Sequence, residues 1–293
     1  MEMKKKIYVD DTNPEILPGA NKNIVYDGLV LNSNVEITNN IDICDYIFII
    51  TKDNLKRLDQ NTINNKYVKI DYTDDPFNVK DGNKINCYKY FKRSVVNKKN
   101  ERIINNNTIP ISYCIKNETL NFKNLFDYKR DFDISIFFNT NADSGFNHYR
   151  HKVAKFIKDN FSNYNIHVGM IGKAGRVGRT TIQKPYYQRM FNSKIVVTCN
   201  PKDWEGDYRT WEALSSGALV MVDKMLTPIV NPLIDKEHII FYDKNNLDDL
   251  KQKIIFYLNN DNLREKIAKN GNDFVLKYHK TSDRIDEILS HLP

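Results

Sequence analysis

The stretch from Met190 to Asp223, MFNSKIVVTCNPKDWEGDYRTWEALSSGALVMVD, constrains the fold of this chain more than any other. An apolar run, Ile195 to Thr198, ends in a polar loop. That loop opens a helix carrying Asp207, Tyr208, Arg209 and Glu212. The helix stops at Ser215, Ser216 and Gly217, and a second apolar strand, Leu219 to Val222, follows. In an open α/β sheet the carboxyl ends of strands and the amino ends of the next helices line the ligand crevice. A helix start in that place favours an anion.

Two physical readings of the segment stand side by side. In the first, Arg209 clamps a phosphate from the first helical turn and Glu212, one turn on, accepts hydrogen bonds from a ribose diol, which together make a nucleotide-diphosphate site with no required metal. In the second, Asp207 caps the helix, Glu212 favours its amino half, and Trp211 and Leu214 are core. Spacing alone favours the capping-and-core reading.

The pattern GDYRTWEALSSGALVMVD resembles the donor-binding segment of glycosyltransferases with the two-domain GT-B fold: an Arg or Tyr, then Glu-Ala-Leu, two small residues, Gly and a hydrophobic strand. It is similar to exostosin-type enzymes, to the acidic-Tyr-x-Thr-Glu run of fucosyltransferase-type enzymes, and to group 1 transferases related to bacterial spore-maturation proteins. The segment HIIFYDKNNLDDLKQKIIFYLNNDNLREKIAKNGNDFVLKYHKTSDRIDEIL resembles the tail of the group 1 enzymes. One departure is plain. Many retaining group 1 enzymes carry two Glu residues eight positions apart, whereas Glu205 and Glu212 are seven apart. Glu212 matches the second of that pair, and Glu205 does not carry over cleanly.

The resemblance implies an α/β, GT-B-like fold of two Rossmann-like domains facing across a cleft. Residues 1–125 would form the acceptor-side domain and residues 126–293 the nucleotide-sugar domain, with the last helix, Arg284 to Leu292, crossing back. DYTDDPF at Asp71 to Phe77, YKYFKRS at Tyr88 to Ser94 and IPISYCI at Ile109 to Ile115 resemble, more loosely, the run into the interdomain linker of the spore-maturation-type transferases. The segment Lys116 to Arg130 is the candidate hinge.

Short apolar strands alternating with helical patterns also point to parallel α/β layers. The sequence predicts strands near Lys6 to Val9, Asn23 to Tyr26, Tyr46 to Ile50, Tyr67 to Ile70 and Asn86 to Phe91. A second unit would follow, with the strand Ile134 to Phe138, a helix from about Tyr149 to Phe161, the strand His167 to Ile171 and a helix from Pro185 to Asn192. Leu247, Leu250, Ile254 and Leu258 make one apolar helical face with Asn246 as its cap. Asp261 and Ser282 are expected to cap the last two helices.

Composition excludes several classes. At 293 residues and 41% hydrophobic, the chain can build two modest cores. No apolar run approaches the ~20 residues needed to cross a bilayer, and MEMKKKIYVDD leads straight into a strand, so a cytoplasmic protein is expected. Cys44, Cys87, Cys114 and Cys199 are scattered and read as buried thiols. The net charge of +7 is dispersed among acidic residues, which disfavours a nucleic-acid partner; it would also draw in a sugar nucleotide.

Further candidates lie on loops. Arg150 near a helix start either binds the donor diphosphate or is a solvated helix cation. Gly172, Gly175 and Gly178 are three apart, unlike the G-x-G-x-x-G of dinucleotide folds. That turn, with Lys173, Arg176 and Arg179, either lines the nucleotide cleft or is a mobile surface loop. His148 and His151, with no third ligand in view, read as surface polar residues, and no metal is expected. All six histidines lie in the second half, so an acceptor base from the first domain would be a carboxylate. Asp10 and Asp11 at the end of the first strand, and Asp71, Asp74 and Asp75 at the end of the fourth, are positioned for this, with turn or cap chemistry as the plainer alternative for each; Asp10 and Asp11 are the candidates carried forward.

The expectation is a glycosyltransferase, hexosyl or pentosyl, moving a sugar from a nucleotide-diphosphate donor, UDP- or GDP-linked, to a hydroxyl on a glycan, protein or small molecule. Arg150, Gly172, Lys173, Asp207, Tyr208, Arg209 and Glu212 would bind the donor. Tyr208 would position or stack on it, and the nucleotide sugar would be a co-substrate with no other cofactor. The alternative is a catalytically silent GT-B relative that binds nucleotide sugar, glycan or a protein partner.

Overall fold

The computed structural model describes residues 3–10, 19–50, 66–72, 87–93, 108–123, 129–138, 147–169, 174–175, 178–179, 184–200, 207–225, 227 and 229–293. Two compact units emerge. Unit 1 comprises Met1–Ser112, Thr227–Val230 and Lys280–Pro293, and unit 2 comprises Tyr113–Leu226 and Asn231–His279.

Unit 1 contains β1 (Lys5–Asp10), α1 (Gly19–Leu31), β2 (Val35–Ile37), β3 (Tyr46–Ile49), β4 (Tyr67–Asp71), β5 (Lys89–Lys92) and β6 (Thr108–Pro110), with a short 3-10 turn at Ile41–Ile43. Its sheet runs β2-β1-β3-β4-β5-β6 with every pairing parallel. Every residue of β3 and β4 is buried, as expected for strands covered on both faces.

The remaining elements are α2 (Asn117–Lys123), β7 (Phe132–Ile136), α3 (His148–Asn160), β8 (Ile166–Val168), the two-residue pair β9 (Ala174–Gly175) and β10 (Gly178–Arg179), α4 (Lys184–Phe191), β11 (Ser193–Val197), α5 (Tyr208–Ser215), β12 (Leu219–Asp223), β13 (Ile240–Tyr242), α6 (Leu247–Leu258), α7 (Asp261–Tyr278) and α8 (Thr281–Ser290). All but α8 belong to unit 2. Its main sheet, β13-β12-β11-β7-β8, is again wholly parallel. The chain leaves β7 toward one edge and β11 toward the other, so β7 and β11 flank a topological switch point. Strand side chains such as Ile134, Ile195 and Leu219 pack with Val153 and Ile157 of α3 and Leu250 and Ile254 of α6 in one apolar core. This is an α/β protein of two parallel-sheet units.

One strand expectation is corrected. The predicted strand at Asn23 to Tyr26 is part of α1. Its β-branched residues favour a strand locally, but Ile24, Val25 and Leu29 become buried on a helix that packs against α8. Gly28 makes that packing close: a Cβ there would sit 2.5 Å from the Thr281 carbonyl oxygen. The candidate hinge, Lys116 to Arg130, contains α2, which packs on α4 and α5 within unit 2. At the end of that segment Arg130 adopts φ 53° and donates to the carbonyls of Phe191, Ser193 and Ser216 at 2.8, 3.0 and 2.9 Å.

The late helices follow their apolar pattern, with Leu250 and Ile254 buried and Leu247 and Leu258 packed beside them. Their caps differ from expectation. Asn246 precedes α6 without a side-chain cap bond, and Asp261 is the first residue of α7. Before α8 the reciprocal contact comes from Asp283, whose carboxylate accepts the Lys280 N–H at 2.7 Å; Ser282 lies inside the helix. The four cysteines are buried free thiols.

Candidate functional site

The switch point of unit 2 is built from the residues that leave β7 and β11 and from the first turns of the helices that follow them. Arg150 is in the first turn of α3, and Asp207 caps α5, its Oδ1 accepting the Arg209 N–H at 2.9 Å. The other carboxylate oxygen of Asp207 accepts from Arg150 Nη2 at 2.5 Å and from Arg209 Nη1 at 2.6 Å. Arg150 Nε donates to the Cys199 carbonyl at 2.8 Å, just past the end of β11, and its guanidinium lies 5.6 Å from the centre of the Phe138 ring. Two guanidiniums thus share one carboxylate, leaving an excess positive charge at the amino end of α5.

These three groups are sheltered but not sealed: Arg150, Asp207 and Arg209 are 7%, 9% and 8% exposed. Burial alone would raise the Asp207 carboxyl, but Arg209 and Arg150 outweigh it and hold it below the usual carboxylate range. Burial pulls Arg150 below the usual guanidinium value, with Asp207 opposing. Both arginines remain charged at neutral pH.

Tyr208 opens α5 with two cations near its ring: the Arg209 guanidinium lies 4.8 Å and the Lys116 ammonium 4.9 Å from its centre. Tyr113 meets it edge-on at 5.8 Å. Glu212 has a different setting. It is 0% exposed, and its Oε2 accepts the Tyr186 hydroxyl of α4 at 2.6 Å. Trp211 and Leu214 are core, and Gly217, at φ 71°, ends the helix in a left-handed turn.

The structure therefore brings together Arg150, Asp207, Tyr208 and Arg209. Asp207 caps α5 and anchors the two arginines, and with Trp211 and Leu214 buried the capping-and-core reading of this segment is what the structure shows. Asp10 ends β1 in unit 1 and is buried. Gly172, Lys173, Asp11, Asp74 and Asp75 lie outside the described residues, as does Glu205. Among the described residues no cluster of three or more metal-ligating side chains occurs, and no helix is long and apolar enough to cross a membrane.

Residues that the sequence reading passed over also converge here. Asp223, the last residue of β12, accepts the Asn200 N–H at 2.6 Å and pairs with Lys244 at 3.3 Å. Tyr242, at the end of β13, donates to the Thr198 carbonyl at 2.8 Å. Burial pushes the Asp223 carboxyl up to about 6, against the lowering effects of Asn200 and Lys244. A polar residue closing an apolar strand at its carboxyl end was the available signal.

The sequence profile of the glycosyl transferase-like family matches residues 150–290, just under half the chain, and this span contains the arginine pair, Asp207 and α5. Structural similarity extends further. A glycosyltransferase from Rickettsia africae matches over 99% of this chain and 98% of its own, at 10% identity and a TM-score of 0.63. The fold is that of the GT-B glycosyltransferases. An alpha-glucosyltransferase solved with UDP-glucose and DNA containing an abasic site matches over 99% of both chains, at 10% identity and a TM-score of 0.58. Anabaena Alr3699/HepE, solved with UDP, matches over 99% of this chain and 100% of its own, at 12% identity and a TM-score of 0.56. No curated protein sequence matches this chain significantly. Within this GT-B fold, the arginine pair belongs to the half of the chain that the family profile covers.

Proposed function

We propose that this protein is a glycosyltransferase that moves a sugar from a nucleotide-diphosphate donor to a hydroxyl of a glycan, protein or small molecule, with the donor held by unit 2. The observation that carries the reading is the convergence of Arg150 and Arg209 on Asp207 at the switch point between β7 and β11. Two fixed guanidiniums at a helix amino end match the charge of a diphosphate, which becomes the leaving group as the glycosidic bond breaks. They supply there the positive charge that a metal ion supplies elsewhere, so transfer is expected without one. UDP in two of the structural relatives makes UDP-sugars the first donors to test and GDP-sugars the second.

Tyr208 contributes an aromatic wall beside the guanidiniums, and Glu212 accepts from the ribose once the Tyr186 hydroxyl yields its place. Gly172 and Lys173 remain donor-side candidates. Asp10 and Asp11 are the candidate acceptor bases. A panel of UDP-, GDP-, CMP- and dTDP-sugars, read by thermal stabilisation, tests the assignment. A shift for one donor that is lost in Arg209→Ala and Glu212→Ala supports it, and hydrolysis of the same donor after labelling establishes turnover. A well-folded protein that no donor stabilises overturns it.

A further inference from the structure

Three consecutive residues at the exit of β11 are each held by a side chain from a different element of unit 2. The Thr198 carbonyl accepts from Tyr242 of β13 at 2.8 Å, the Cys199 carbonyl from Arg150 of α3 at 2.8 Å, and the Asn200 N–H is taken by Asp223 of β12 at 2.6 Å. Asn200 is the last described residue before Asp207, the cap of α5. The Cys199 carbonyl also orients Arg150, since it takes the Nε hydrogen while Asp207 takes that of Nη2. A shift of this main chain therefore moves one of the two guanidiniums assigned to the diphosphate.

We propose that Asp223 is a positioning residue for donor binding: its carboxylate clamps the β11 exit at Asn200, and pairing with Lys244 keeps it in the clamping form. The inference rests on the donor reading given above. Asp223 is 2% exposed and forms part of the wall of a cleft of about 590 Å³ at the carboxyl ends of β12 and β13. Its ionic partner is itself fixed, because the Lys244 ammonium lies 4.6 Å from the centre of the Tyr149 ring of α3. The same side chain therefore links the ends of β12 and β13 to α3.

Burial raises the Asp223 carboxyl to about 6, and the charged and titratable groups around it among the described residues come from several elements. From β13 comes Tyr242, its hydroxyl raised well above the usual phenol value by burial, and from the turn after it comes Lys244. From β11 comes Cys199, its thiol also raised by burial. From α3 comes Arg150. Asp243 and Asp249 line the same cleft, and Asp249, despite partial burial, is held below the carboxylate range by bonds from Lys253 and the Asp243 N–H. Protonation of Asp223 removes its attraction for Lys244 and weakens its hold on the Asn200 N–H, because a charged acceptor makes the stronger bond.

Two measurements on the full chain decide the matter. Hydrogen exchange of the peptide spanning Val196 to Asn200 is compared in wild type, Asp223→Ala and Asp223→Asn, and UDP and GDP binding is followed by calorimetry from pH 5 to 8. Phosphate oxygens of the nucleotide titrate near pH ~6 themselves, so differences between variants are the readout. Asp223→Ala is expected to speed exchange in that peptide and to weaken nucleotide binding about tenfold or more, a loss of one charge-assisted bond. Asp223→Asn keeps an acceptor for Asn200 and restores much of the affinity at neutral pH, without the wild-type decline toward acid. Lys244→Met, useful should Asp223→Ala not fold, moves the midpoint of that decline to higher pH. Unchanged exchange in Asp223→Ala overturns the clamp. Faster exchange with unchanged nucleotide affinity overturns its role in donor binding. Wild-type protein that binds neither nucleotide overturns the donor reading itself, while exchange still decides whether the clamp exists.

Discussion

The Tyr186 hydroxyl donates to Glu212 Oε2 at 2.6 Å between two side chains that are both 0% exposed. The α4 tyrosine thus occupies one oxygen of the carboxylate proposed to meet the ribose. Tyr186→Phe keeps the packing and deletes that donor, leaving a buried carboxylate with one partner fewer. A stability loss of about 1–3 kcal/mol is expected, measured by urea unfolding with an unchanged m-value. A loss below ~0.5 kcal/mol would mean that the bond contributes nothing net.

Asp207 carries two guanidiniums, so its removal leaves like charges facing each other in a sheltered site. Asp207→Ala is expected to cost about 3–5 kcal/mol, the range for breaking a buried ion pair from one side. The acid dependence follows from its lowered carboxyl. The native value lies below the unfolded one, so its stabilisation is complete above the unfolded value near ~4 and is lost as pH falls through the native value. Thermal melts from pH 2 to 6 should show this decline in wild type and its absence in Asp207→Asn.

Asp223 has the opposite sign, since burial raises its carboxyl to about 6. Between roughly pH 4 and 6 the native state keeps a proton that the unfolded chain releases, so its contribution to stability falls as pH rises across that window and is flat above it. Two units correspond to about 3 kcal/mol as an upper figure. The difference in unfolding free energy between wild type and Asp223→Asn, followed against pH, should decrease through that window. A flat difference would show that the carboxyl is not raised.

Gly28 and Gly271 sit where elements approach too closely for a side chain. A Cβ at Gly28 would lie 2.5 Å from the Thr281 carbonyl oxygen and 2.6 Å from Ile285 Cγ1, and one at Gly271 would overlap the His238 carbonyl oxygen. Because backbone must shift in each case, Gly28→Ala and Gly271→Ala are expected to destabilise by about 1–3 kcal/mol despite the higher helix propensity of alanine. Equal or greater stability in either variant, read by chemical denaturation, would contradict the packing described.

Periodicity and local chemistry determined much of this protein from the sequence alone. The apolar runs at Ile134, Ile195 and Leu219 are strands because they lie buried on both faces of a parallel sheet, and the Asp207 cap and Gly217 stop bound α5 by rules that act within a few residues. The same locality explains why Arg150 and Arg209 were legible as separate cations at helix starts. Their sharing of Asp207, across 57 residues of chain, was not legible, because strand order decides which helix starts meet. Nor could the sequence show that Tyr186 faces Glu212, that Asp223 takes the Asn200 N–H, or that Ile24 and Val25 lie in a helix. In each case the deciding energy comes from a partner distant in sequence: the α4 hydroxyl, the β11 exit, and the α8 surface that Gly28 lets in close.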